Sequence, residues 1–122
     1  WNGLFTQLSR LAAALDRAAL LDDTLVVVVS EMTRTPKRNE ALGTDHWPHT
    51  SALLFGGPTR GGRVCGATDG LLESLPMDFA TGAVDPAGAL CQYDNFVAGV
   101  LAMVGVDPER WLPGSEPFRG AG

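Results

Sequence analysis

The chain has 122 residues, 45% of them hydrophobic and 19% charged, with 15 Gly and 8 Pro. One globular, loop-containing domain is the expectation, and this composition excludes disorder, collagen and coiled coil for the chain as a whole. Nine Lys and Arg against 14 Asp and Glu give a net charge of −5, which argues against a general nucleic-acid or anionic-membrane surface.

Leu4, Leu8, Leu11 and Leu15, followed by Ala18 and Ala19, recur at helical spacing with Arg10, Asp16 and Arg17 between them. This predicts an amphipathic helix with one buried stripe. Asp22 and Asp23 close it, and Thr24 to Ser30 follows with four consecutive valines. A valine run without polar alternation reads as an interior parallel strand covered on both faces. Glu31 to His49 has no apolar periodicity and reads as a long loop, a kind of segment that is commonly functional. Ser51 to Phe55 is a short strand stopped by Gly56, Gly57 and Pro58, and Arg63 to Cys65 a second one between glycine-rich turns.

Asp85-Pro86 predicts a helix start, with a carboxylate cap and Pro at the first helical position. Leu90, Val97, Val100, Leu101 and Val104 form its apolar face, and Gly105 and Pro108 end it. Residues 112–122 read as an extended tail, so the chain is one partial domain over 1–122. The longest mainly apolar stretch, Phe96 to Val106, is 11 residues, against roughly 20 for a transmembrane helix. Cys65 and Cys91 are too few for a disulfide scaffold and too far apart for a zinc knuckle; one bridge or two buried thiols are both open.

In open α/β sheets, ligands gather beyond the carboxyl ends of strands. Glu31 stands there, and Asp45-His46-Trp47-Pro48-His49 ends the same loop just before the next strand. Glu31, Asp45 and His46 are therefore the candidate ligands for a divalent metal, since carboxylate plus imidazole suits zinc, manganese or iron. Arg34, with Lys37 and Arg38, offers an anion contact, because guanidinium groups grip phosphate or sulfate bidentately. Each has a plainer reading: a solvated loop carboxylate, an imidazole packed beside Trp47, a basic loop face. No nucleophile elbow, phosphate loop or dinucleotide fingerprint is present.

Leu21 to Met32 (LDDTLVVVVSEM), Arg34-Thr35-Pro36, Asp45-His46-Trp47-Pro48, Arg60-Gly61-Gly62-Arg63-Val64 and Gly66-Ala67-Thr68-Asp69 occur in this order. The series resembles the carboxyl-terminal part of domain-of-unknown-function family 1501, sulfatase-like bacterial proteins of the alkaline phosphatase superfamily. The resemblance runs from Leu4 to about Pro108 and implies the carboxyl-terminal portion of a three-layer α/β core, mostly parallel, with flanking helices. It also implies paired divalent metals (zinc, manganese or similar), phosphate or sulfate esters as substrates, and export to the periplasm by the twin-arginine route.

On this resemblance Glu31 matches the acidic position after the strand, and Asp45-His46 the downstream Asp-His pair. Thr33 stands where the family usually has Gly, and the family's upstream half, with its Asp-x-His ligands and nucleophile position, has no counterpart. Two functions follow as expectations. One is part of a metal-dependent hydrolase with an incomplete site; the other is a non-catalytic structural or binding subunit. In either case the rest of the domain or another protein chain is the expected partner, because a strand buried on both faces needs neighbours on each side.

Overall fold

The computed structural model describes residues 1–122. Helix α1 (Asn2–Arg17) carries the predicted leucine stripe, but the stripe is not buried, with Leu4 and Leu11 both exposed; the helix ends as Ala19 turns to a φ of 54°. Strand β1 (Val26–Val29) follows; then come β2 (Thr33–Arg34), β3 (His46–Trp47) and β4 (Ala52–Phe55). Helix α2 (Tyr93–Met103) and a single 3-10 turn at Pro108–Arg110 complete the regular elements.

The mostly parallel, three-layer core is not what forms. β1 pairs antiparallel with β4, Val26 opposite Phe55 and Val29 opposite Ala52. β2 pairs antiparallel with β3, Thr33 opposite Trp47 and Arg34 opposite His46. The two sheets are two-stranded and nested, so the chain leaves along β1 and β2 and returns along β3 and β4. The valine run is apolar on both faces without being enclosed: Val29 is 51% exposed. Hydrophobicity alone cannot distinguish a covered central strand from one whose neighbours are missing, and that is why the parallel reading fails.

The segment Glu31–His49 is likewise not a structureless loop but the outer half of this ribbon. Between the two ladders three residues lie on the outgoing strand (Ser30–Met32) and four on the returning one (Pro48–Ser51). The returning segment is one residue longer, so the second ladder is shifted by one residue in register relative to the first.

α1 lays Phe5, Leu8 and Ala12 toward Leu21, Leu53 and Phe55 without closing on them, leaving an open gap of about 330 Å³. At the base of β4 the chain passes Gly56 at a φ of 76°, where a Cβ would run into the Thr24 carbonyl oxygen. The Gly57 N–H then donates to Leu21 O at 2.8 Å, tying the ribbon's two ends together.

The second half holds the small core. Phe79 and Phe118 meet edge to face with ring centres 6.3 Å apart, and with fully buried Ala98 they are the buried hydrophobic residues. Residues 112–122 begin and end in turns rather than running extended throughout, and they are pinned. Phe118 N–H donates to Asn95 O, Arg119 N–H to Phe79 O, and Ala121 O accepts from Arg60 N–H. Asp85-Pro86 does not start a helix: Asp85 Oδ1 accepts from Ala87 N–H at 2.8 Å and closes a local turn. α2 begins only after Gln92, in a capping box with Asn95. Arg63–Cys65 forms no strand, and Val64 is 94% exposed.

Only 6 of 122 residues are buried, and the accessible surface is 8530 Å². A folded monomer of 12.9 kDa exposes about 6,300 Å². Large apolar side chains contribute to the excess: Trp1, Leu42, Val64, Leu71, Tyr93 and Trp111 are each more than 60% exposed. No helix is long and apolar enough to cross a membrane.

Candidate functional site

The ribbon's far end is built around Asn39. Its Oδ1 accepts from the N–H groups of Ala41 and Gly43, and its Nδ2 donates to Asp45 Oδ1 at 2.9 Å. Thr35 locks the neck below: its N–H donates to Asp45 O, and its Oγ1 accepts from Asp45 N–H while donating to Lys37 O. The tip is therefore shaped by backbone-directed hydrogen bonds rather than by apolar packing.

Successive strand side chains point to opposite faces, and this separates the expected ligands. Arg34 and His46 are cross-strand partners on one face, with Arg34 Nη1 donating to Thr44 O at 3.3 Å. Asp45 and Trp47 line the other face together with Thr35. Glu31 lies exposed at the bend before β2. The structure thus brings Arg34 to His46 and Asp45 to Asn39, but does not gather Glu31, Asp45 and His46. No group of three or more His, Cys, Asp or Glu side chains is arranged to hold a metal ion. These residues by themselves do not assemble a complete donor set for the divalent metals that the resemblance implies.

A different cluster forms one turn of the chain further on. His49 Nε2 lies 2.7 Å from Glu73 Oε2, and His49 Nδ1 lies 2.9 Å from Ser74 Oγ. Thr33 Oγ1 donates to the His49 carbonyl from the opposite strand. Glu73 and Ser74 are presented by a tight loop organised by Asp69, whose Oδ1 accepts from Leu71 N–H and Glu73 N–H. The Trp47 indole N–H donates to Leu72 O at 3.1 Å, and its ring meets His49 edge-on with centres 5.8 Å apart.

Hydroxyl, imidazole and carboxylate in series are the parts of an activated nucleophile. Here, however, neither Ser74 nor His49 lines the neighbouring groove, whereas Glu73 does. The cluster is a clasp that fixes the ribbon to the second half of the chain. Sequence reading assigned no role to His49, Glu73 or Ser74. The partners are 24 and 25 residues apart, a separation that carries no spacing signal.

The groove itself is open, about 600 Å³ in volume. Trp47 and Leu71 form its apolar wall, and Lys37, Arg38, Asn39, Glu40, Asp45 and Glu73 its polar rim. The perturbed acids lie elsewhere. A hydrogen bond from Thr81 Oγ holds the Asp78 carboxyl below its ordinary range, and one from Ser115 Oγ does the same for Asp94. Burial, then the Asp94 charge, pushes the Cys91 thiol up. Cys65 and Cys91 are both free thiols.

Comparison with curated proteins and with solved structures returns no match. A family model described as "Protein of unknown function (DUF1501)" matches residues 6–117, and the chain belongs to that family.

Proposed function

We propose that this chain is the anion-contacting and scaffolding part of a sulfatase-like hydrolase of the alkaline phosphatase superfamily, exported to the periplasm and acting on phosphate or sulfate esters. The observation that carries the reading is the pair Lys37 and Arg38 at the rim of a groove with an aromatic wall. The ordered motif resemblance supports it. Cationic donors beside an apolar wall suit an ester with a charged head and a less polar body. The reacting groups are supplied from outside these residues, and no metal-dependent step is assigned to the donors present.

The test is hydrolysis of 4-nitrophenyl sulfate and 4-nitrophenyl phosphate by the full natural protein in zinc- or manganese-containing buffer. Hydrolysis of either ester, with KM raised in a Lys37→Ala/Arg38→Ala variant, supports the reading. Absence of hydrolysis together with absence of phosphate and sulfate binding overturns it.

A second reading, a non-catalytic structural or binding subunit, is favoured by the failure of Glu31, Asp45 and His46 to converge. Under both readings another polypeptide segment covers the excess apolar surface. Light scattering and thermal melting of the isolated 122 residues decide that point: a cooperatively melting monomer would count against it.

A further inference from the structure

We infer that the outer part of the ribbon, Thr33 to His49, is a rigid flap, hinged on the β1–β4 ladder and latched to the second half of the chain by the side chains of Trp47 and His49. The flap is held together along its whole length. β2 pairs with β3, Thr35 and Asp45 bond each other twice at the neck, and Asn39 closes the tip. Thr33 Oγ1 donates to the His49 carbonyl, so His49 travels with the ladder. Below it, Ser30–Met32 on the way out and Thr50–Ser51 on the way back make no backbone-to-backbone hydrogen bond, and all of them but Met32 are exposed. Turning about a few exposed joint residues breaks neither ladder, which is the ordinary anatomy of a hinge.

The latch is confined to two side chains. Every hydrogen bond from Thr33–His49 to the chain outside it is made by Trp47, whose indole N–H donates to Leu72 O at 3.1 Å, or by the His49 ring, 2.7 Å from Glu73 Oε2 and 2.9 Å from Ser74 Oγ. Their partners are consecutive residues of one loop, and that loop is stiffened by Asp69. The bonds therefore form and break together. Each is made at a part-exposed surface, where a hydrogen bond or ion pair contributes little net stability, so the latch opens more readily than the chain unfolds. The groove lies between the two bodies, with Lys37, Asp45 and Trp47 on the flap and Leu71 and Glu73 on the loop. Its width is thus set by the latch.

Native-state hydrogen exchange by NMR tests this on the natural protein in its assembled form, isotopically labelled at Trp, Thr and Phe nitrogens and measured across low urea concentrations. The Trp47 indole N–H reads the latch, the Thr35 N–H bonded to Asp45 O reads the inside of the flap, and the Phe118 N–H bonded to Asn95 O reads the second half. Corrected for intrinsic rates, the Trp47 indole should exchange about tenfold or more faster than both amides. Its rate should not change with urea, because releasing the latch exposes little surface, whereas the Phe118 rate should rise. His49→Ala should speed the Trp47 indole by about tenfold through the loss of two hydrogen bonds. If that variant does not fold, Ser74→Ala takes its place and should speed the indole severalfold.

A Trp47 indole that exchanges at the Phe118 rate, with the same urea dependence, overturns the inference, since the contact would then open only on global unfolding. A Thr35 amide as fast as the indole overturns it as well, because the outer ribbon would fray rather than swing. An indole rate unchanged in the variant means that the two side chains are held independently, which also overturns it.

Discussion

Two glycines on two helices should respond to the same substitution with opposite signs. Gly3 in α1 has nothing within 4 Å of where a Cβ would stand. Gly3→Ala should therefore stabilise by up to about 1 kcal/mol, the ordinary helix preference, with less realised this close to a helix end. Gly99 in α2 is buried, and its Cβ would be driven into the Phe118 carbonyl. That carbonyl cannot swing aside, because its residue's N–H is bonded to Asn95 O and its ring is packed on Phe79.

Making room means lifting the tail. Part of the Phe118 burial is then lost, about 1.5–3 kcal/mol if the loss is complete, together with a hydrogen bond worth about 1 kcal/mol. Against the helix-propensity gain of about 1 kcal/mol, Gly99→Ala should be net destabilising by about 1.5–3 kcal/mol. At about 4 °C per kcal/mol for a domain of this size, Tm should fall by roughly 6–12 °C, while Gly3→Ala raises it by a few degrees. The assay is thermal melting by circular dichroism of the two variants in the same assembled form. A Gly99→Ala protein melting at or above the parent would refute the reasoning, since the tail would then not be seated on α2.

His49→Ala should destabilise by about 1–3 kcal/mol through loss of two hydrogen bonds and an aromatic contact, read by urea unfolding. In a double-mutant cycle with Glu73→Gln, the coupling should be under about 1 kcal/mol and shrink with added salt, because Glu73 is half exposed. For Asp94, whose folded-state carboxyl titrates below its ordinary range through the Ser115 hydroxyl, the favourable contribution is full above the ordinary carboxylate range. It is lost as pH falls through the depressed folded value. Ser115→Ala should return the Asp94 carbon chemical-shift titration toward the ordinary range; an unchanged midpoint would assign the shift to another cause. Cys91 should react with a disulfide reagent at pH 8 more slowly than a solvated cysteine, and Asp94→Asn should speed it, since thiolate is the reactive form.

Legibility in the sequence followed packing. α1 and β4 are both readable because an apolar stripe and a short apolar run with a glycine stop survive as patterns. β1 was readable as a strand but not as an antiparallel one, since four valines carry no information about the direction of the partner. β2 and β3 were hidden because Thr33, Arg34 and His46 belong to an exposed ribbon, where no burial writes a period-two pattern. The Asp85-Pro86 signal was real chemistry used for a turn, and the actual helix start at Gln92 has a weaker cap type. Phe118 is the one aromatic residue of the tail and stands among glycines and prolines, so no periodicity could announce it. Of the candidate ligands, only their common location on the ribbon was legible; the face each occupies depends on strand alternation, which a loop reading leaves undefined. In the sequence Trp47 marks only a neighbour of His46, and the clasp through His49 joins residues too distant in the chain for spacing to suggest.

The one-residue difference in length between the two segments that join the ladders has a consequence for how this ribbon can change. Had the register of β1 and β4 run on unbroken, Arg34 would stand opposite Trp47 and Thr33 opposite Pro48. The groove wall would then share a face with Arg34, and His46 would move to the side now occupied by Asp45. Which side chains meet at the rim is thus encoded in a count of residues between Trp47 and Ala52, not only in their identities. A single insertion or deletion there could re-sort the site's chemistry at one stroke, a route to a new specificity that no series of point substitutions on the same scaffold would follow.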